Sequence, residues 1–313
     1  MKPKRFGIDA ANMVCMDLKG TTWDVRGKTV LITGANSGIG KATAIELARR
    51  GACVVITARD MVKGREAKVE IEASSGAPVV LRELDLASFR SILQFASAFM
   101  SEYPTLHVLV HNAGLILSTR GETEDGFEST FGINHLGTFF LNRLLLPLLV
   151  KSAPSRIVVV ASDAHKSARG GLDFDDLQSK RSYNGIRAYA QSKLANVLFA
   201  RHLATRLAGR GVSAFCLHPG VVATNFTGDG DAGGLWGFFF KWLRPLLLSP
   251  EKGARTSVHL CCTPGIEDIS GGYFVKCRLA TPSKAASDDA AALQLWEISD
   301  ALCEESALPS FDF

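Results

Sequence analysis

The 313-residue sequence lacks the cysteine patterns of a disulfide framework or a zinc site. Its seven cysteines are scattered, odd in number and without a CxxC pair, so no metal site is predicted. No stretch of 18 uncharged apolar residues occurs, because Asn142-Arg143 interrupts one apolar stretch and Lys241 and Arg244 interrupt the other. The first 27 residues contain no apolar signal-peptide core. We therefore expect a cytoplasmic protein in a reducing compartment, with no transmembrane segment.

The sequence also lacks a large excess of one sign of charge. The sequence has 35 Lys and Arg against 31 Asp and Glu, and its longest basic cluster is Lys2, Lys4 and Arg5. This balance does not predict a nucleic-acid partner. A chain of this length with 47% hydrophobic residues can bury a large core as one domain.

What is present is a regular alternation of short apolar runs and helix-length segments. The runs lie at 30–32, 54–56, 79–81, 108–110, 157–160 and 213–215. Nearly every residue in them is apolar, as in parallel strands that are covered on both faces. The alternation predicts an α/β fold: a single-domain, doubly wound parallel sheet of Rossmann-like type with helices on both faces. A last helix is predicted at Ala291–Cys303.

A glycine-rich loop, Thr33-Gly34-Ala35-Asn36-Ser37-Gly38-Ile39-Gly40, follows the first run and precedes a predicted helix at 40–50. Glycines permit a tight turn and close backbone approach, and a helix N-terminus offers free N–H groups to a pyrophosphate. A purely structural glycine turn is the alternative, but the position between strand and helix favours a dinucleotide. The predicted cofactor-binding residues here are Gly34, Asn36, Ser37, Gly38, Ile39 and Gly40.

The end of the second predicted strand bears on the choice between NAD and NADP. NAD-binding folds place an acidic residue about twenty residues after the glycines, on the ribose 2′-hydroxyl. Here Ala58 is followed by Arg59, which suits a 2′-phosphate and favours NADP(H). Asp60 is the alternative, because a shift of one residue would put its carboxylate on the hydroxyl.

Tyr189 and Lys193 are spaced to lie on one face of a helix. An ammonium about 4 Å from a phenol contributes about 4 kcal/mol at an effective dielectric constant of about 20. That energy is enough to lower the pKa of the Tyr189 phenol from about 10 toward about 7, where it can exchange protons at neutral pH. Ser162 follows the fifth strand, at the edge of the sheet where a ligand crevice is expected.

These motifs together resemble those of the short-chain dehydrogenase/reductase family over residues 27–280. The matching positions are 33–40, Asp85-Leu86, Asn112-Ala113-Gly114, Asn134, Ser162, Tyr189 with Lys193, and Pro219-Gly220. The segments 123–127, 134–137, 172–177 and 192–196 resemble the retinol dehydrogenase group more narrowly. The resemblance covers a dinucleotide-binding catalytic domain (27–280). The residue pattern outside it indicates an N-terminal arm (1–26) and a C-terminal helix and tail (281–313).

The resemblance also implies roles. Tyr189 would exchange the proton with the substrate oxygen, Ser162 would orient that oxygen, and Lys193 would hold the nicotinamide ribose. Asn134 would position a water for proton relay, Asp85 would lie near the adenine, and Asn112 would brace the cofactor ribose. The further cofactor-binding residues implied are Asp85, Leu86, Asn112, Ala113, Gly114, Tyr189, Lys193, Pro219, Gly220, Val222 and Thr224.

Two features depart from that family. His111 stands where an Asn is usual, and we expect this polar replacement to be tolerated. The N-terminal membrane anchor usual in retinol dehydrogenases is not apparent. His165 and His218 lie near the predicted site without metal-ligand spacing, so neither is predicted to be a ligand.

The stretch 235–248 is strongly apolar and aromatic, and it follows a glycine-rich hinge at 228–234. We predict a substrate lid at 226–250, which would exclude water from the reaction. Peripheral membrane contact through 235–248, a homo-oligomer contact and core packing are the alternatives. The sequence thus predicts an NADP(H)-dependent oxidoreductase that interconverts a lipophilic, retinal-like alcohol and its aldehyde or ketone. A steroid or general carbonyl reductase, and a cofactor-binding regulatory protein with little turnover, remain open.

Overall fold

The computed structural model of the protein describes residues 23–221 and 248–306. Eight strands form one sheet in the order β3-β2-β1-β4-β5-β6-β7-β8. All neighbouring strands are parallel except β7 and β8. The strands are β1 (Thr29–Ile32), β2 (Cys53–Ala58), β3 (Val80–Glu83), β4 (Val108–His111), β5 (Ser155–Val160), β6 (Val212–His218), β7 (Tyr273–Val275) and β8 (Arg278–Ala280).

Helices cover the sheet on both faces, as predicted. They are α1 (Gly38–Arg49), α2 (Met61–Ser75), α3 (Phe89–Glu102), α4 (Gly137–Lys151), α5 (Gly185–Arg206), α6 (Pro250–Cys262) and α7 (Asp289–Ser306). Neighbouring residues of β1 belong to different cores: Leu31 packs with α3, α4, α5 and α7, whereas Val30 and Ile32 pack with α1 and α6. This alternation follows from the two-residue period of a strand, and it confirms the doubly wound α/β fold.

The sequence did not predict the hairpin of β7 and β8. Each strand has three residues, too few to show a period, and Arg278 and Leu279 are exposed. The turn between them has positive φ at Lys276 (51°) and Cys277 (61°). Tight hairpin turns of that kind are usually marked by Asn or Gly, and this one has neither.

The two ends of the described chain are packed against the fold. Trp23, from the region predicted as an arm, donates from Nε1 to the Cys261 carbonyl at 2.8 Å. At the other end, the Trp296 ring of α7 lies 4.9 Å from that of Phe139. The helix predicted at 291–303 extends over Asp289–Ser306.

Within the described residues, one helical stretch, Ser129–Lys151, passes a length and composition test for crossing a membrane. Its most apolar window is 72% buried inside the fold. A buried core helix passes the same test, so this stretch is weak support for a membrane span.

Candidate active site

The glycine-rich loop is shaped by the turn that follows β4. Gly34 has φ +62°, and a Cβ at this position would lie 2.9 Å from Ala113. A Cβ on Gly40 would collide with the Asn112 side chain and the Gly34 carbonyl. Both positions therefore require glycine, because the loop packs directly on the second predicted cofactor motif.

Thr33 joins the two motifs, a role that the sequence argument missed. Its Oγ1 accepts hydrogen bonds from the backbone N–H groups of Asn112 (3.0 Å) and Ala113 (3.1 Å). The Asn112 side chain in turn donates to the carbonyls of Thr33 (2.9 Å) and Gly34 (3.1 Å). Asn112 thus holds the loop in shape, while its predicted contact with the ribose stays a prediction. Gly114 packs on the other side, toward Lys193 and Asn134.

The N-terminus of α1 is open at the end of this loop. Ser37 precedes the helix in an extended conformation, and its side chain makes no capping hydrogen bond. Ser37 is exposed, Asn36 and Gly38 are partly buried, and Ile39 is 8% exposed, packed with Ala42 and Ala254. First-turn N–H groups that lack a side-chain cap are the usual ligands of a phosphate.

Arg59 and Asp60 differ in what already binds them. The Asp60 carboxylate caps α2, accepting from the N–H groups of Val62 (2.9 Å) and Lys63 (3.2 Å). Arg59 is exposed at the end of β2 and makes no ion pair with any residue in 23–221 or 248–306. One oxygen of the Asp60 carboxylate is therefore already engaged by the helix, which argues against Asp60 as the ligand of a ribose hydroxyl.

Asp85 and Leu86 follow β3 at the same edge of the sheet. One Asp85 carboxylate oxygen accepts from the Ala87 N–H at 2.9 Å, which folds the chain into a tight turn. Leu86 is 6% exposed, and its carbonyl lies so close to Gly137 that a Cβ there would collide with it. The start of α4 therefore packs directly on Leu86, next to the Asp85 that is predicted to lie near the adenine.

Tyr189, Lys193 and Ser162 meet at the carboxyl end of β5. Lys193 Nζ donates to the Val160 carbonyl at 3.1 Å and lies 5.6 Å from the centroid of the Tyr189 ring. The Ser162 hydroxyl accepts from the Ala164 N–H at 3.1 Å and forms a hydrogen bond with Tyr189. One turn of α5 and one loop after β5 therefore bring together the three residues predicted to carry the chemistry.

The predicted lowering of the Tyr189 pKa is wrong for this structure. Burial raises the pKa of the phenol to about 12, and the hydrogen bond with Ser162 opposes that rise. Burial lowers the pKa of the Lys193 ammonium to about 8. The sequence estimate counted the lysine charge and left out desolvation, which disfavours the charged form of both groups. The phenol is therefore protonated at neutral pH, as a proton donor must be.

Asn134 lies in a π-helical turn, Gly132–Leu136, directly before α4. Its side chain accepts from the Leu115 N–H and donates to the Leu115 carbonyl, both at 2.8 Å. It also donates to Ser192 Oγ at 3.0 Å, and Ser192 bonds to the Tyr189 carbonyl at 2.9 Å. Asn134 thus braces the helix that carries the tyrosine, and its predicted water relay stays a prediction. π-turns are often found at functional sites.

His111 and its neighbour Asn142 form a buried pair behind the site. His111 Nε2 lies 3.3 Å from Asn142 Oδ1, and burial lowers the pKa of the imidazole to about 4. A neutral ring can occupy the position where the family usually has an amide.

Pro219 and Gly220 follow β6 beside the site, and Gly220 has φ +92°. The Leu248 N–H donates to the Val221 carbonyl at 2.9 Å. The described chain before residue 222 and the described chain after residue 247 therefore meet beside β6. Val222, Thr224 and the predicted lid at 226–250, apart from its last three residues, lie outside the described residues.

A doubly wound sheet with a glycine cradle, a helix N-terminus and a buried Tyr-Lys pair defines a class of nicotinamide-dependent oxidoreductases. A family model for short chain dehydrogenase matches residues 28–173. Retinol dehydrogenase 14 of Mus musculus is 44% identical over 298 residues, covering 89% of this chain and 86% of that protein. The chain therefore belongs to the short-chain dehydrogenase family, in its retinol dehydrogenase-like group, and is an oxidoreductase acting between an alcohol and a carbonyl.

Solved structures agree with this assignment. An uncharacterised protein of Mycobacterium paratuberculosis has a TM-score of 0.72 at 33% identity, covering 94% of this chain and 98% of that one. The RhlG protein of Pseudomonas aeruginosa, in an active-site complex with NADP, has a TM-score of 0.63 at 26% identity. That match covers 80% of this chain and 95% of the RhlG chain.

Proposed function

We propose that the protein is an NADP(H)-dependent oxidoreductase that interconverts a lipophilic alcohol and its aldehyde or ketone, with retinal-like compounds as its first candidates. The observation that carries the proposal is the meeting of Ser162, Tyr189 and Lys193 at the sheet edge. Support for NADP comes from Arg59, which is exposed and makes no ion pair within the described residues, beside Asp60, whose carboxylate caps α2. The NADP complex of the RhlG protein supports the same choice.

The residues present fit a dinucleotide. Gly34 and Gly40 leave no room for side chains in the loop, and the Ser37 side chain does not cap the first-turn N–H groups of α1. These groups would hold the pyrophosphate, Arg59 the 2′-phosphate, and Lys193 the nicotinamide ribose. When bound, the nicotinamide supplies or accepts the hydride.

The protein's own residues handle the proton. In the reducing direction, the neutral Tyr189 phenol donates its proton to the substrate oxygen. Ser162 donates a hydrogen bond to the phenolate that forms, which is the form its hydrogen bond favours. Lys193, mostly charged at pH 7, stabilises the same negative charge.

The proposal is tested by steady-state assays of retinal, a steroid ketone, decanal and propanal, each with NADPH and with NADH. We expect NADPH to be preferred and kcat/KM to rise from propanal to decanal and retinal. A preference for the steroid would favour the steroid reductase alternative. No turnover with any carbonyl, together with tight NADPH binding, would favour the regulatory protein and overturn the proposal.

The aromatic stretch at 235–248 is proposed as the part that covers the substrate. The hydrogen bond between Leu248 and Val221 brings the two chain ends that flank residues 222–247 together at the carboxyl end of β6, beside the site. Replacing Phe239 and Trp242 together with Ser should raise KM for decanal and leave propanal nearly unchanged. Each substrate methylene that is no longer buried against this stretch lowers the binding free energy by about 0.8 kcal/mol.

The alternatives for this stretch give different results in the same variant. If the stretch only packs on the fold, the double substitution lowers the melting temperature and affects both aldehydes equally. If it only contacts a membrane, liposome binding falls while both KM values stay as in the wild type.

A further inference from the structure

Two histidines beside the catalytic serine have no part in the proposed chemistry. His165 is completely buried in the 3-10 turn Asp163–Ser167, and His218, the last residue of β6, is 7% exposed. Within residues 23–221 and 248–306, neither belongs to a group that could hold a metal ion. Both imidazoles instead form hydrogen bonds with main-chain groups, and these partners define their tautomers.

His165 connects the serine to the C-terminal segment. Its Nδ1 lies 2.7 Å from the Ser162 carbonyl, and its Nε2 lies 3.2 Å from the backbone nitrogen of Ser283. An amide N–H can only donate, so Nε2 is the unprotonated nitrogen. Nδ1 therefore carries the hydrogen and donates it to the Ser162 carbonyl. Burial lowers the pKa of His165 and keeps this neutral tautomer.

His218 binds the backbone N–H of Asp163, the residue after Ser162. Its Nδ1 lies 3.2 Å from the backbone nitrogen of Asp163 and accepts that N–H. The hydrogen of the ring is then on Nε2, which lies 4.0 Å from the Asp163 carboxylate. Burial lowers the pKa of His218 as well, against the attraction of Asp163.

The Ser162 carbonyl and the Asp163 N–H belong to one planar peptide group. Its carbonyl accepts from the His165 imidazole and also from the His165 backbone N–H at 3.1 Å, and its N–H donates to His218. It can therefore rotate only if these hydrogen bonds break. On the other side of the serine, the Ala161 N–H donates to the Leu217 carbonyl at 2.8 Å, which continues the sheet. The main chain is thus fixed immediately before and immediately after Ser162.

We propose that His165 and His218 are positioning residues, which clamp the Ser162–Asp163 peptide group and so set the Ser162 hydroxyl against the Tyr189 phenol. The parallel ladder ends at Val160, and this peptide group lies beyond it, where no strand supplies its partners. His218 accepts its N–H, and its carbonyl accepts from the His165 imidazole and from the His165 backbone N–H. The inference rests on the proposed function, in which Ser162 donates a hydrogen bond to the phenolate of Tyr189.

Tyr273 supports the same clamp from β7. Its hydroxyl donates to the Asp163 carboxylate at 3.1 Å, and its ring meets that of His165 edge-on, with 5.1 Å between centroids. Ser283, which holds the far side of His165, lies between β8 and α7. The edge hairpin and the segment after it are thereby connected to the catalytic loop.

A matched pair of substitutions separates the two hydrogen bonds of the His165 imidazole, the one with the Ser162 carbonyl and the one with the Ser283 N–H. In His165→Asn, the side-chain amide can still donate to the Ser162 carbonyl, because it reaches the position of Nδ1. In His165→Gln, the amide reaches the position of Nε2, so the contact with Ser283 is kept and the side-chain contact with Ser162 is lost, while the backbone N–H of residue 165 stays on the Ser162 carbonyl in both variants. We expect kcat of His165→Gln to fall by about tenfold to a hundredfold, and that of His165→Asn by less than about threefold, with NADPH affinity unchanged.

A double-mutant cycle with Ser162→Ala tests whether His165 acts through the serine. We expect His165→Gln to cause no further loss of kcat once the hydroxyl is gone. Additive losses, equal kcat values for the Asn and Gln variants, or a larger loss in Asn than in Gln would overturn the proposal. If His165→Gln is not recovered folded, His218→Gln against His218→Asn gives the same comparison, since only Asn keeps the acceptor at the Nδ1 position.

Crystal structures of the wild type and the Gln variants give a readout that needs no substrate. We expect the Ser162–Asp163 peptide to rotate and the Ser162 hydroxyl to move away from Tyr189. An unmoved hydroxyl overturns the clamp, even in a protein that reduces retinal. Conversely, a wild type without carbonyl turnover overturns the proposed function, and a moved hydroxyl then still supports the clamp.

Discussion

Tyr189→Phe is expected to lower kcat for the reduction of a lipophilic aldehyde by about 10²- to 10⁴-fold, the usual contribution of a positioned general acid. The substitution removes the only atom that donates the proton and keeps the ring beside Lys193. Because the phenol is not proposed to bind the phosphates, NADPH affinity should change little. The measurement is kcat by NADPH absorbance and Kd by NADPH fluorescence, on the same preparation.

Tyr183→Phe is the matched control. Tyr183 also begins a Tyr-x-x-x spacing, but the residue four positions later is Arg187, which cannot exchange protons. Its hydroxyl donates to the Leu117 carbonyl at 3.1 Å, away from Ser162. We expect the control to stay within about threefold of the wild-type kcat, since it loses only the ordinary hydrogen bonds of this hydroxyl with Leu117 and Thr130. Residual activity of Tyr189→Phe above about a tenth of wild type would contradict its role as general acid.

The fold was predictable where strands are long and buried on both faces. In β5, Ile157-Val158-Val159-Val160 leaves few alternatives to a central parallel strand, and all six residues of β5 are buried. The edge hairpin at 273–280 was not predictable. Its strands show no period, and its turn adopts positive φ at Lys276 and Cys277, residues that do not signal such a turn.

The site likewise has a part that could be predicted from the sequence and a part that could not. The meeting of Tyr189, Lys193 and Ser162 was predictable, because residue type and spacing identify side chains that are able to carry this chemistry. The clamp was not, since His165 and His218 act on main-chain atoms of other residues, which leave no pattern in the sequence. The pKa of Tyr189 was mispredicted for a related reason. Charge can be read from the sequence, whereas the desolvation that raises this pKa depends on the packed environment.

Asp60 shows how the structure decides between two adjacent candidates. From the sequence alone, either Asp60 or Arg59 could face the adenosine ribose. The carboxylate of Asp60 accepts two N–H groups at the start of α2, a capping role typical of Asp and worth about 1 kcal/mol. Asp60→Ala should therefore lower the free energy of unfolding by about that amount. NADH affinity should not change, which distinguishes a cap from a ribose ligand.

Arg59→Ala is expected to weaken NADPH binding by about tenfold to a hundredfold and to leave NADH nearly unchanged. A charge-assisted hydrogen bond to a phosphate contributes about 1.5–3 kcal/mol, and only NADPH carries the 2′-phosphate. Arg65→Ala is the matched control, because Arg65 is also exposed but lies within α2, past the end of β2. Both variants lose one positive charge, so a general electrostatic effect would weaken NADPH equally in the two. Titration calorimetry of each variant with both cofactors, at fixed ionic strength, separates these outcomes. Equal weakening of NADPH and NADH by Arg59→Ala would make this arginine structural and leave the NADP assignment without its main support.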